Sequence, residues 1–161
     1  MIFVSSFTKL IGPALRVGYI AADPAMVARI VERKVLSVLS GSALLESFVA
    51  EVLDSGRYRK HLETLRSRLS RMRRDAVQAL GSAGITFENA GAEGIFLWGR
   101  LPDSTPIDEL VRGAREQSIL LAKGTLFSPS KSSRQWLRFN VAHSTAPPLI
   151  RYLQGALKSA A

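Results

Sequence analysis

Ser5-Ser6-Phe7-Thr8-Lys9-Leu10-Ile11-Gly12-Pro13-Ala14-Leu15-Arg16-Val17-Gly18-Tyr19 sets one lysine in a Ser/Thr-rich turn, with an arginine a short step downstream. A lysine amine adds to a carbonyl only when unprotonated, a state favoured by desolvation or by a neighbouring cation such as Arg16. The hydroxyls of Ser6 and Thr8 and the Arg16 guanidinium form a set suited to a phosphate dianion, with arginine supplying a bidentate fork. A Ser/Thr turn carrying one lysine ahead of a short strand is also a common surface feature, so the remainder of the chain decides between the two readings.

Outward from this stretch, residues 2 to 5 read as a short buried strand and residues 16 to 22 as a second, which places Lys9 on the loop between them. Asp23-Pro24 is a helix start, the acid as N-cap and proline at the first helical position. A helix over residues 25 to 36 follows, then one over 43 to 53 with Leu44, Leu45, Phe48, Val49, Val52 and Leu53 inward. The longest helix, about residues 58 to 83, carries Leu62, Leu65, Leu69, Met72, Ala76 and Leu80 at three- and four-residue steps, a stripe expected to pack on both neighbouring domains. Gly84 stops it.

Beyond Gly84 the pattern becomes mixed. Residues 85 to 88 and 94 to 98 alternate as strands around an Asn89-Ala90-Gly91 turn. Residues 106 to 117 read as a helix capped by Thr105, 119 to 122 and 135 to 142 as strands, and 147 to 158 as a closing helix. Trp98 and Trp136 sit in apolar strands and are expected to be core anchors. The order predicts an α/β protein divided near the long helix.

The 161 residues are 47% hydrophobic and 22% charged, within the range of a folded globular chain and outside that of a disordered one. With no cysteine there is neither a disulfide framework nor a thiolate metal site, and His61 and His143 lack ligand spacing, so no metal is expected. No stretch reaches membrane-spanning length and no signal peptide opens the chain, making a cytoplasmic location the expectation. The formal charge of +9 invites a nucleic-acid reading. Between Arg57 and Ala83, however, eight basic residues stand against two acidic ones, a local excess of +6 on one helix. Because these residues lie opposite a normal core stripe, a solvated face, or one docked on an acidic domain, accounts for Arg66, Arg73 and Arg74 better than a phosphate backbone does. His61, on the same charged helix, reads as solvent-facing, and His143 as a loop residue.

The Ser6-Phe7-Thr8-Lys9 segment with Arg16 resembles the cofactor-lysine segment of fold type I pyridoxal 5'-phosphate (PLP) enzymes, the aminotransferase superfamily. Gly94-Ile95-Phe96-Leu97-Trp98 with Leu101-Pro102, Gly124 to Ser130, and Trp136-Leu137-Arg138-Phe139-Asn140-Val141-Ala142 resemble, in order, successive segments of that family's C-terminal domain. The ordered set covers essentially the whole chain. It is most similar to the aminotransferase-like domain of MocR/GntR-type transcriptional regulators and to 2-aminoadipate-type aminotransferases.

The resemblance implies the C-terminal small domain of the fold type I transferase fold plus the last strands and helices of the large domain. Residues 1–56 would be the remnant of the large PLP-binding domain, 57–83 an interdomain helix and 84–161 the small α/β domain. It further implies Lys9 as the catalytic, cofactor-bearing lysine and as base for the substrate Cα proton. Ser6, Thr8 and Arg16 would hold the cofactor phosphate, and Arg138, 129 residues after Lys9, would fork the α-carboxylate of an amino acid or 2-oxo acid. The carboxylate that pairs with the cofactor's ring nitrogen lies upstream of the lysine in this family, and neither Asp23 nor Asp54 matches it. The chain is therefore expected to be the C-terminal half of a larger, homodimeric protein and to transaminate weakly or not at all by itself. Its apolar faces would be an aggregation risk. Amino-group transfer and ligand sensing in a regulator, reaching DNA only through an upstream winged helix, share every site residue and both stay open.

Overall fold

The periodicities become elements in the expected order. The computed structural model describes residues 1–88, 90–91, 93–128 and 133–158. Two compact units, Met1–Leu65 and Arg66–Ala161, divide the chain within its longest helix.

In the first unit, β1 (Phe3–Ser6) and β2 (Gly18–Ala21) form an antiparallel hairpin with Ser6 opposite Gly18. Helix α1 (Pro24–Val38) starts as its sequence dictates: Asp23 Oδ1 accepts from the Met26 amide at 3.0 Å, and Pro24 occupies the first turn, where no amide is missed. Ser42 caps α2 (Ala43–Asp54) through the Leu45 amide at 3.4 Å. Helix α3 (Arg57–Gly81) follows after Gly56.

Burial in this unit departs from expectation. The strand predicted to be buried is exposed, with Phe3 at 52% and Val4 at 68%. On α2 only Val49 is buried, whereas Leu44 and Phe48, expected inward, are 79% and 50% exposed, and Leu53 is exposed as well. Amphipathic spacing identifies a face that favours cover; it does not say that the same chain supplies the cover.

The second unit is built on a four-stranded antiparallel sheet in the order β3-β4-β6-β5, comprising β3 (Thr86–Phe87), β4 (Phe96–Arg100), β5 (Ala122–Lys123) and β6 (Trp136–Asn140). Side chains alternate across it. Leu97, Leu137 and Phe139 point into a core with Ala76 and Leu80 of α3, Leu110 and Ala114 of α4 (Ile107–Glu116), and Leu153 and Leu157 of α5 (Pro147–Lys158). Trp98 and Trp136 hold the opposite parity and are half-buried, so they are not core anchors; the leucines beside them take the inward positions.

Three further expectations are corrected. Thr105 does not cap α4. Pro106, at φ −77° and ψ 85°, is the residue before the helix, which leaves Thr105 one position too early to reach the first free amides; it is buried, and its Oγ1 has no hydrogen-bond partner among the described residues. The strand expected over 119 to 122 is confined to Ala122–Lys123, because the Ile119 amide instead donates to the Ala114 carbonyl at 2.9 Å and closes the end of α4. Arg73, counted with the basic outer face of α3, is buried at 8% exposure, and its Nη2 donates to the carbonyls of Gly94 at 3.0 Å and Phe96 at 2.7 Å. It therefore ties α3 to the turn that feeds β4 and is not an exposed contact for a nucleic-acid backbone. Of the Asn89-Ala90-Gly91 turn, Ala90 and Gly91 are turn residues and Asn89 lies outside the described residues, as do 129 and 130 of the segment compared over Gly124 to Ser130.

Tyr152 Oη donates to the Leu110 carbonyl at 2.6 Å, pinning α5 to α4. Burial first, then the charge of Glu116, raises its pKa above the usual tyrosine value. The folded state thus prefers the neutral phenol, so its contribution to stability is complete below the usual value of about 10 and is lost as pH rises through the higher folded value. Urea midpoints measured from pH 8 to 11.5 should decline more steeply at the alkaline end for the native chain than for Tyr152→Phe. Parallel curves would contradict this role.

Among the described residues, no helix is long and apolar enough to cross a membrane.

Candidate functional site

The lysine turn is an extension of the β1–β2 ladder. The Phe7 amide donates to the Val17 carbonyl at 2.9 Å, one step beyond the Ser6–Gly18 pair, so Thr8 and Arg16 follow at the next position on either side. The chain then turns through Lys9, with the amides of Leu10 and Ile11 donating to the Phe7 carbonyl at 3.1 and 2.8 Å. Ser6, Thr8, Lys9 and Arg16 are thereby gathered on one hairpin end, Thr8 half-buried and the other three exposed. Arg16 has φ 52°, a left-handed conformation that costs a non-glycine residue about 1–3 kcal/mol and is concentrated at functional sites.

Two ring contacts and one hydrogen bond support this hairpin from its own unit. Phe7 packs against Tyr19 at 5.7 Å and meets the Tyr58 ring edge-on at 5.9 Å between centroids. His61 Nε2 lies 2.7 Å from the Leu10 carbonyl oxygen. The expectation of a purely solvent-facing His61 is therefore incomplete, since the ring is exposed and also bonded to the lysine turn. His143 lies in the turn after β6, its amide donating to the Asn140 carbonyl at 3.0 Å.

Arg138 belongs to the other unit. It lies on β6 opposite Trp98 of β4, on the sheet face turned away from the core. Its guanidinium carbon is 4.1 Å from the centroid of the Phe96 ring and 3.6 Å from that of Phe127. Beside it, Trp98 and Trp136 stack at 5.9 Å with 18° between planes, and Phe127 meets Trp98 edge-on at 6.2 Å. The two rings confine the guanidinium through cation–π contact, and its planar, permanently charged fork of donors is the group suited to bidentate recognition of a carboxylate. Phe127 lies in the compared Gly124 to Ser130 segment, but local sequence carries no signal that places its ring beside Arg138.

The hairpin fits the carbonyl and phosphate ends of PLP, for it offers an amine, two hydroxyls and a guanidinium together. It offers no carboxylate for the ring nitrogen, because Asp23, which follows it, is committed to capping α1.

The sequence matches the profile of aminotransferase class I and II over residues 1–154, and the chain belongs to that family. The chain is 33% identical over 144 residues to the uncharacterized HTH-type transcriptional regulator YdcR of Escherichia coli, covering 86% of this chain and 30% of that protein. It is 27% identical over 149 residues to 2-aminoadipate transaminase of Thermus thermophilus, covering 88% and 36%. Among solved structures, LysN, an alpha-aminoadipate aminotransferase from Thermus thermophilus complexed with N-(5'-phosphopyridoxyl)-L-leucine, superposes with a TM-score of 0.84 at 26% identity, covering 99% of this chain and 42% of that one. A multiple substrate aminotransferase from Thermococcus profundus superposes at 0.85 with 18% identity over 99% and 41%, a likeness of fold. The chain spans about a third of the length of these curated relatives. Its fold is that of the fold type I aminotransferases.

Proposed function

We propose that this chain is the C-terminal part of a PLP-binding, aminotransferase-like protein that moves an amino group between an amino acid and a 2-oxo acid. The observation that carries the reading is the hairpin end that gathers Ser6, Thr8, Lys9 and a left-handed Arg16. In this reading Ser6, Thr8 and Arg16 hold the cofactor phosphate. Lys9 Nζ would hold the cofactor at its carbonyl carbon, the carbonyl oxygen leaving as water, and the same amine, when free, would take the Cα proton of the substrate. Arg138, held between Phe96 and Phe127, orients the substrate carboxylate. Bound PLP supplies the electron sink for this chemistry. Residues 1–56 are, in the same reading, the last part of the cofactor domain, 57–83 the interdomain helix and 84–161 the small domain. The exposed apolar surface of the first unit is consistent with cover by further chain or by a second copy in a cytoplasmic homodimer.

A second reading, a ligand-sensing domain of a MocR-type regulator without turnover, draws support from the regulators among the similar proteins. A winged helix encoded upstream favours it, and an ordinary large domain alone favours the enzyme.

Incubating the chain with PLP and fixing the product with borohydride should label Lys9 ahead of Lys34 and Lys60. In Lys9→Ala that fast label should disappear, a loss of more than about tenfold in total early labelling, given the advantage of a preorganised group. Equal label on all lysines would remove the reading. Transamination by the 161-residue chain is expected to be weak or absent, because the ring-nitrogen carboxylate has no candidate on this hairpin. Turnover that Lys9→Ala abolishes would reverse that expectation.

A further inference from the structure

The first turns of α3 reach the lysine turn through two side chains. Tyr58 and His61 are three residues apart and so share a face of the helix. They meet the two residues that bracket Thr8-Lys9: the Tyr58 ring contacts Phe7 edge-on, and His61 Nε2 bonds the Leu10 carbonyl at 2.7 Å. Phe7 and Leu10 are themselves joined across the turn, the Leu10 amide donating to the Phe7 carbonyl at 3.1 Å. The turn is therefore closed by its own backbone and braced from α3 at both ends.

We infer that His61, with Tyr58, is a positioning residue for Lys9, a role resting on the proposed function of that lysine. The bond that His61 makes to the turn is to the Leu10 carbonyl, on the residue after the lysine. It acts by fixing the Leu10 carbonyl and hence the direction in which the preceding residue leaves the turn. A carbonyl oxygen only accepts, so Nε2 carries the hydrogen, and this is met by the neutral Nε2–H tautomer and by the imidazolium alike. The brace therefore does not depend on the protonation state of the ring. Lys9 is exposed and its neighbours Phe7, Thr8, Leu10 and Ile11 are only half-buried, the situation in which a supporting shell decides whether a reactive group is held in a usable geometry.

The test compares wild type, His61→Leu, His61→Gln and Tyr58→Leu by two measurements. One is the rate of borohydride-fixed PLP labelling at Lys9, normalised to Lys34 and Lys60 in the same sample. The other is hydrogen exchange of the Leu10 and Ile11 amides. His61→Leu is expected to slow normalised labelling roughly ten- to hundredfold, the order lost on misplacing a reacting group by about an ångström, and to speed exchange in the turn. His61→Gln, whose amide N–H can replace Nε2–H, should label within about threefold of wild type. Tyr58→Leu should fall between. Wild-type labelling and exchange in His61→Leu would overturn the inference, as would a uniform change at all lysines or a failure of glutamine to rescue. If wild type itself shows no preference for Lys9, the PLP reading fails, and the catalytic sense of the positioning role fails with it. The exchange data still judge the brace in that event: faster exchange in His61→Leu upholds the bond to Leu10, and unchanged exchange removes it.

Discussion

Arg73→Leu is expected to lower the stability of the second unit by about 2–4 kcal/mol. A hydrogen bond to a charged donor contributes about 1.5–3 kcal/mol, and Nη2 makes two, to Gly94 and Phe96. The full sum is not expected, because burial works against the guanidinium, lowering its pKa, and its removal relieves that cost. What leucine leaves behind is two carbonyls without their donor at the entrance to β4. Trp98 and Trp136, both on this sheet, report the loss as a lower urea midpoint by fluorescence. Arg74→Leu, at an exposed neighbouring position, should stay within about 0.5 kcal/mol of wild type. Equal midpoints for the two variants would show that the Arg73 bonds contribute nothing net. Phe96 also lies under Arg138, so Arg73→Leu should loosen the Arg138 guanidinium as well as the fold.

Gly18→Ala should damage the lysine hairpin selectively. A Cβ at this position would stand 2.8 Å from the Ser5 carbonyl oxygen and 3.2 Å from Ser6 Cβ, so the strands must part where Ser6 is held. The nearest atom is backbone and cannot rotate away. Overpacking of this kind costs about 1–3 kcal/mol, and the displacement of Ser6 and the turn beyond it should slow Lys9 labelling by tenfold or more, on the order expected for a misplaced reactive group. Gly12→Ala is the matched control: in the same hairpin, the nearest atom to its added Cβ is Leu15 Cγ at 4.0 Å, and its labelling rate should be that of wild type. Indistinguishable rates for the two alanine variants would mean that Ser6 and the strand register do not govern the lysine.

The hairpin was legible in the sequence because its information is local. Asp23-Pro24, the glycines and the spacing from Ser6 to Arg16 all act within a few residues of one another. His61 was not legible, for its partner Leu10 lies 51 residues away and helical periodicity reports only that the position faces out of the stripe. Arg73 was misplaced for a related reason. A rule that sends cations to solvent overlooks that arginine can bury a long stem and end on backbone carbonyls. For Trp98 and Trp136, apolar strand composition does not specify the face; counting by twos from Leu97 and Leu137 puts both tryptophans opposite the core. The exposed stripe of α2 was seen correctly as a stripe; what covers it is not information carried by α2.

The alternation along β6 makes its two jobs inseparable. Leu137 and Phe139 face the core while Arg138 between them faces outward, and the same holds for Leu97 between Phe96 and Trp98. A single-residue insertion or deletion in either strand would exchange the two sets, pressing a guanidinium into a hydrocarbon interior and turning leucines outward. Length change within these five-residue strands is thus lethal to folding before it can alter ligand recognition. If the sheet recognises a carboxylate as proposed, variation in that recognition is left to substitutions of the outward residues and to its loops, with the arginine's place guarded by its neighbours' need for the core.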